Sequence, residues 1–404
     1  MSETVTAKPN NAAAMAQTAG IGMLVLGAVL AGAGLAQGFS VEKLAPSFLF
    51  GATFWIMLTM GCFGLMLLFH VTRGRWGTPV LRIFEAGASP INLVFCFVLV
   101  MLAATVFKEP LYGAWLHPAP GDTVVTNKSA YLNEGFFLAR QVLYFVILLA
   151  FRIVLGNWTR KEEQTGDKSY SDKRNNLAAP GIVVFILTMT FFITDYLMSV
   201  EPHWYSTVWG FLFTIGACLS ALALAATVVV TQKDKAPYAG KIDRLMMNDF
   251  GNLLLMLTML WAYLSFSQLL IIWSGNLREF IPYYLKRIVG NYSILGYMLV
   301  FGQFLGPFLL LLSPRLKRTS WLLVPTAFLI MGMRVVDMYW LVMPYFRESI
   351  DLAALPGDLG VLLAFGGVWA TIFAIGLRAA PLVTPAHPYQ HHNHEHMEEA
   401  TANV

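Results

Sequence analysis

Apolar residues recur along the chain in ten runs of about 19–25 residues, the length that carries a helix across a hydrocarbon core. The runs fall near 19–37, 47–70, 89–107, 135–154, 180–200, 207–230, 250–274, 292–313, 320–344 and 358–378. Between them lie Pro, Gly, Asn, Asp and charged positions that punctuate chains outside a bilayer. Most connections are short. The two long ones, 108–134 and 155–179, read as loops, and the charge cluster of the second reads as solvated. The expected fold is an all-α integral membrane protein with ten transmembrane helices.

Two short matches suggest an internal repeat. Spans five and nine both end in Asp, six residues, Pro (Asp195 to Pro202 and Asp337 to Pro344), and Asn-Leu pairs open spans three and seven at Asn92 and Asn252. The implied organisation has a tail at 1–18, a flanking helix at 19–46, a four-helix bundle at 47–206 (spans two to five), a second at 207–357 (spans six to nine), a flanking helix at 358–379 and a tail at 380–404. The first 17 residues lack a basic segment followed by a cleavage site and read as a cytoplasmic tail.

Composition agrees with this class, since 57% of the 404 residues are hydrophobic and only 12% are charged, about half the share of soluble domains. A net charge of +4 is too small and scattered for a nucleic-acid footprint. Charge therefore reads as topology. With the N-terminus inside, 17 Lys and Arg fall on the cytoplasmic side and 7 on the other, which places both termini in the cytoplasm.

Ionisable groups in hydrocarbon are costly and need a partner, a wet cavity or a task. Toward the outer side lie Arg140, Gln141, Asp195, Glu201, His203, Ser265, Gln268, Arg334 and Asp337; toward the inner side lie His70, Arg152, Asp249 and Asn252. Gln303, Tyr263 and Thr188 are the polar steps between. Helix glue explains any one of them, and His70 and Asp249 sit where headgroup-level charge is ordinary. Taken together, Asp195, Asp337, Glu201, His203, Arg334, Arg140, Gln303, Tyr263, His70 and Asp249 outline a proton route. Asp195, Gln141, Gln268 and Arg140 are candidate quinone contacts. Trp204, Tyr205, Gln268, Trp273 and Asn276 form an outer segment expected to face a partner subunit.

No metal site is expected. The three cysteines, Cys62, Cys96 and Cys218, have no ligand spacing, no histidine lies deep in a span, and the stretch from His387 to His396 reads as a tail. Nucleotide and hydrolase fingerprints are missing as well.

The runs DYLMSVEPHWYSTVWG at 195–210, DFGNLLLMLTMLWAYLSFSQLLIIWSGNL at 249–277 and RVVDMYWLVMP at 334–344 resemble the membrane subunits of bacterial alternative complex III, in the NrfD/PsrC family of quinone-linked subunits. The length and the 155–179 segment are more similar to the shorter ActF-type subunit than to its ActC-type sibling. The resemblance implies a bacterial inner-membrane complex that oxidises quinol and passes electrons to periplasmic iron–sulfur and c-type haem subunits, then to a terminal oxidase or soluble carrier. It also implies a second membrane subunit of the same family and a lipid environment; with no deep histidine and no clustered cysteine, no redox cofactor is expected in this chain. The family's quinol pocket uses a buried His with a carboxylate in the first bundle; here Asp195 matches but His203 is interfacial. The expected role is proton translocation and docking of the periplasmic subunits. The alternatives are a quinol-binding subunit, a structural anchor or a secondary transporter.

Overall fold

The computed structural model describes residues 11–35 and 40–383, so the His-rich tail lies outside the described residues. All regular structure among them is helical. Ten segments are long and apolar enough to cross a membrane: Asn11–Gly34, Glu42–Thr72, Leu81–Thr105, Glu134–Thr165, Ser169–Val200, Trp209–Thr231, Arg244–Gly275, Tyr292–Leu312, Ser320–Tyr345 and Leu355–Arg378. They are called spans one to ten below. Each overlaps one apolar run of the sequence.

The main departure is at 155–179. Spans four and five run on as helices into this segment, leaving only residues 166–168 as a turn in which Gly166 caps span four at φ 70°. The polar extensions are held by ion pairs: Arg174 with Glu162, both buried, Arg82 with Glu163, and Arg73 with Asp172 at 2.9 Å. A charge-rich sequence reads as loop from composition, yet Arg, Lys and Glu are good helix formers once their charges are matched. The cluster is only partly solvated.

Span three is broken. A helix Leu81–Gly87 ends, Ser89 caps a new one by accepting from the Asn92 N–H at 3.3 Å, and Pro90 takes the first-turn place where no N–H is needed. The carbonyls freed at the break are answered from within the protein. Asn92 donates to Ala86 and Gly87 (3.3 and 3.2 Å), and Arg152 donates to Glu85 and Ala88 (3.0 and 3.1 Å). The cation thus sits at a helix C-terminus, where the dipole favours it.

Spans two and six form the centre, with 89% and 83% of their apolar windows buried against 17% for span one and 22% for span eight. They cross closely because Gly61 has no side chain: a Cβ there would overlap the backbone carbonyl of Ala217. Span two neighbours spans three and five, span four packs on three and five, span six neighbours seven and nine, and span eight packs on seven and nine. Spans one and ten pack along each other, and ten also lies on two.

Cross-loop contacts sort the connections into two faces. Lys128 to the Pro202 carbonyl (2.6 Å), His203 to Asp122 (2.8 Å), Lys286 to Glu201 (2.8 Å) and Tyr292 to the Ser349 carbonyl (3.3 Å) join the connections after spans three, five, seven and nine. On the opposite face Arg75 meets Asp243 and Asp249 (3.6 and 3.3 Å), and Tyr238 donates to the Pro79 carbonyl (3.1 Å). We call the first the lid face, for its short helices Lys108–Leu116 and Ile281–Ile288, and the second the basic face.

Candidate functional site

Asp195 and Asp337, the two carboxylates of the Asp-x6-Pro repeat, are both buried toward the lid face, and their surroundings differ. Asp195 is wholly buried. Arg140 of span four reaches both its oxygens, Nε to Oδ2 at 2.8 Å and Nη2 to Oδ1 at 3.0 Å, and Tyr144 donates to Oδ2 at 2.7 Å. Gln141 stands at 3.5 Å. The Arg140 guanidinium also donates to the Tyr131 carbonyl at 2.9 Å and lies over the rings of Tyr131 and Phe136, at 3.8 and 4.3 Å. Oδ2 thus meets three donors and Oδ1 one, and the carboxylate is held by protein groups on both oxygens. Of the four candidate quinone contacts, three (Asp195, Gln141 and Arg140) meet here, near a smaller cavity of about 270 Å³ lined by Tyr131, Thr194, Ser199 and Trp204.

Asp337 on span nine is paired with Arg334 one turn back on the same helix, as their spacing of three predicts. Arg334 fits there because Gly216 on span six leaves room; a Cβ would strike the guanidinium. The Trp261 ring stands 5.9 Å from that guanidinium. Unlike Asp195, Asp337 borders a cavity of about 700 Å³.

The cavity lies among spans six to nine. Trp209 and Leu212 wall it from span six, Trp261, Ser265 and Gln268 from seven, Leu299 and Phe304 from eight, and Asp337, Trp340 and Leu341 from nine. Tyr283, Tyr284 and Ile288 of the helix Ile281–Ile288 also line it. That helix is held by Arg287, which is fully buried, stacks on Tyr283 at 3.7 Å and donates to the carbonyls of Tyr283 and Leu341 at 2.7 and 2.8 Å. Spans seven and eight pack most closely along Gly306–Leu312 and part toward Tyr292–Met298. The exposed lining residues Tyr263, Phe266, Tyr297 and Val300 lie on these two spans, so the cavity opens sideways toward lipid. Its polar groups are few: the Asp337 carboxyl, the Gln268 amide, which accepts from Ser206 at 3.3 Å, Ser265, Ser293 and the phenols. Such a chamber suits an amphiphile with a flat polar head and an apolar tail.

The remaining expected site residues are scattered. Tyr263 is not an interior step, since it is 66% exposed at the cavity mouth. His70 is buried, not solvated at a boundary, because span two is central and Phe69, Trp76 and Glu85 surround that end. Asp249 pairs with Arg75, Glu201 with Lys286, and His203 with Asp122. Gln303 is fully buried in span eight. Trp204 does not face outward: it stacks on Tyr283 at 4.0 Å and meets Trp209 edge-on at 5.0 Å. Tyr205 and Trp273 are exposed, and Asn276 serves as the left-handed cap of span seven at φ 45°.

Several buried polar side chains had no part in the sequence reading. Asp358 on span ten binds Arg347 through both oxygens (2.6 and 3.0 Å), with Ser47 at 2.5 Å and Tyr339 at 3.3 Å. The Asp358 pair, Arg287 and buried Lys317, which donates to Asn252 at 2.6 Å, all sit where composition indicates loop or helix-end charge. Among the described residues no three His, Cys, Asp or Glu side chains converge as metal ligands. No family model matches the chain, and no curated protein matches it.

Proposed function

We propose that this chain is a membrane subunit of a respiratory quinol:electron-acceptor oxidoreductase of the alternative complex III type, and that its own second half binds the quinol. The reading places it in a bacterial cytoplasmic membrane with both termini inside. Spans two to five and six to nine form two four-helix bundles flanked by spans one and ten, a grouping supported by which spans neighbour which.

The observation that carries the quinol reading is the cavity opening between spans seven and eight with Asp337 and Gln268 on its wall. A quinol held here keeps its ring among Trp261, Tyr284 and Trp340, and its isoprenoid tail leaves past Tyr263 and Tyr297 into lipid. Gln268 and Asp337 accept hydrogen bonds from its hydroxyls, and Arg334 offsets the carboxylate charge. Oxidation to the quinone releases two electrons and two protons. The electrons go to iron–sulfur clusters and c-type haems held by periplasmic partners; Asp337 is the first acceptor for a proton. Exposed Tyr205 and Trp273 give the lid face aromatic surface for docking those partners.

A second reading, proton translocation and docking without quinol, is favoured by the unpartnered polar atoms in the interior of spans seven to nine described below. Saturable quenching of tryptophan fluorescence by a short-chain quinone, measured on the purified protein, separates the two. Quinol binding requires saturation in the wild type and weakening in Gln268→Leu; a linear, non-saturating response would remove the quinol site.

A further inference from the structure

We infer that the interior of spans seven, eight and nine holds a buried water cluster at mid-depth, bound by Gln303, Thr258 and Arg334. Gln303 is fully buried, and neither its amide oxygen nor its amide nitrogen has a hydrogen-bond partner within the protein. The hydroxyl of Thr258, also fully buried, and Nε of Arg334 are unpartnered too. A buried polar group left unpaired is costly, so four such atoms demand a ligand.

The three side chains come from stretches of the three spans that neighbour one another. A Cβ on Gly302 would lie 2.9 Å from the Met333 sulfur, so the backbone next to Gln303 runs against the Met333–Arg334 stretch of span nine. Thr258 lies three residues before Trp261 on one face of span seven, and Trp261 borders Arg334 at 5.9 Å.

The backbone of span eight is built around this position. Residues Leu299–Leu305 form a π-helical turn, ended by the Gly306 N–H donating to the Phe301 carbonyl. Pro307 follows and has no N–H to return to the carbonyls one turn earlier. Widened turns of this kind occur where a group or a water enters the helix ladder.

Donor and acceptor counts select the ligand. Arg334 and the Gln303 amide nitrogen only donate, the Gln303 oxygen only accepts, and Thr258 does both. A metal cation would face the Arg334 guanidinium, and an anion would leave the Gln303 oxygen unmet. Water alone meets both kinds, with two to four bonds per molecule. This site does not depend on quinol binding in the cavity. It supplies a polar step in an otherwise apolar mid-depth region, between Asp337 and the Lys317–Asn252 contact toward the basic face.

X-ray radiolytic footprinting of the full chain in nanodiscs tests this, because bound water hydroxylates its immediate neighbours. Met333, 7% exposed, should be oxidised in a dose-dependent way, and Gln303→Leu should reduce that several-fold while exposed Met256 is unchanged. Met259 on the cavity wall serves as the reference for cavity water. If Gln303→Leu does not fold, Thr258→Val carries the same expectation. Wild-type Met333 that stays unmodified would overturn the inference, as would Met333 labelling that neither variant alters.

Discussion

Arg140 holds both carboxylate oxygens of Asp195 from a neighbouring helix, at 2.8 and 3.0 Å, whereas Arg334 reaches Asp337 from one turn away on the same helix. The Asp-x6-Pro repeat therefore ends in two different devices. The first ties span four to span five; the second leaves a carboxylate on the wall of a chamber. In both halves a short lid-face helix also donates to a carbonyl near the Asp: Tyr112 to Tyr196 at 3.0 Å, and Arg287 to Leu341 at 2.8 Å.

The Asp195 pair should behave as structural. Asp195→Asn or Arg140→Ala strands a buried partner and should destabilise the protein by about 3–5 kcal/mol. The double replacement Asp195→Leu with Arg140→Met should recover much of that loss. Thermal melts of the four proteins in one detergent check this, and a double variant no better than the singles would contradict it.

The crossing of spans two and six depends on Gly61. Gly61→Val pushes a side chain into the Ala217 carbonyl, and overpacking of this kind costs about 1–3 kcal/mol or more where backbone must move. Gly113→Ala, with open space around it, is the matched control and should melt as wild type.

The lid should be pH-sensitive at Asp122. The Val125 N–H, and after it His203, hold this carboxyl below the usual carboxylate range. A depressed folded-state pKa means the contribution is present above the ordinary value and lost as pH falls through the folded one. Hydrogen exchange at the Val125 amide, corrected for intrinsic rate, should lose protection below about pH 4. Asp122→Asn caps without titrating and should abolish that dependence.

Trp204 links the turn after span five to the cavity through its stack on Tyr283. Trp204→Ala should cost about 3–5 kcal/mol, typical of a buried aromatic truncation. It should also loosen helix Ile281–Ile288, read as faster exchange of its amides.

The spans were legible because ten apolar runs of membrane length admit little else. Their polar extensions were not: Arg174, Glu162 and Glu163 look like loop until their partners are known. Asp337 and Gln268 were visible as polar residues in apolar surroundings, but the chamber that joins them arises where spans seven and eight part, a property of tertiary packing. Trp204 shows the same limit, since an interfacial tryptophan can face lipid, partner or neighbour with one sequence pattern. Asp358 was hidden by its place at the start of a span, where charge is ordinary, and only the fold brings Arg347 and Ser47 to it.

Photoaffinity labelling with an azido-quinone, followed by peptide mapping in native membranes, tests the central claim most directly. The label should fall on 259–269, 283–300 and 337–341, compete with unlabelled quinone and weaken in Gln268→Leu. Competable label confined to spans two to five, around Asp195 and Gln141, would contradict a quinol site in the second half of this chain.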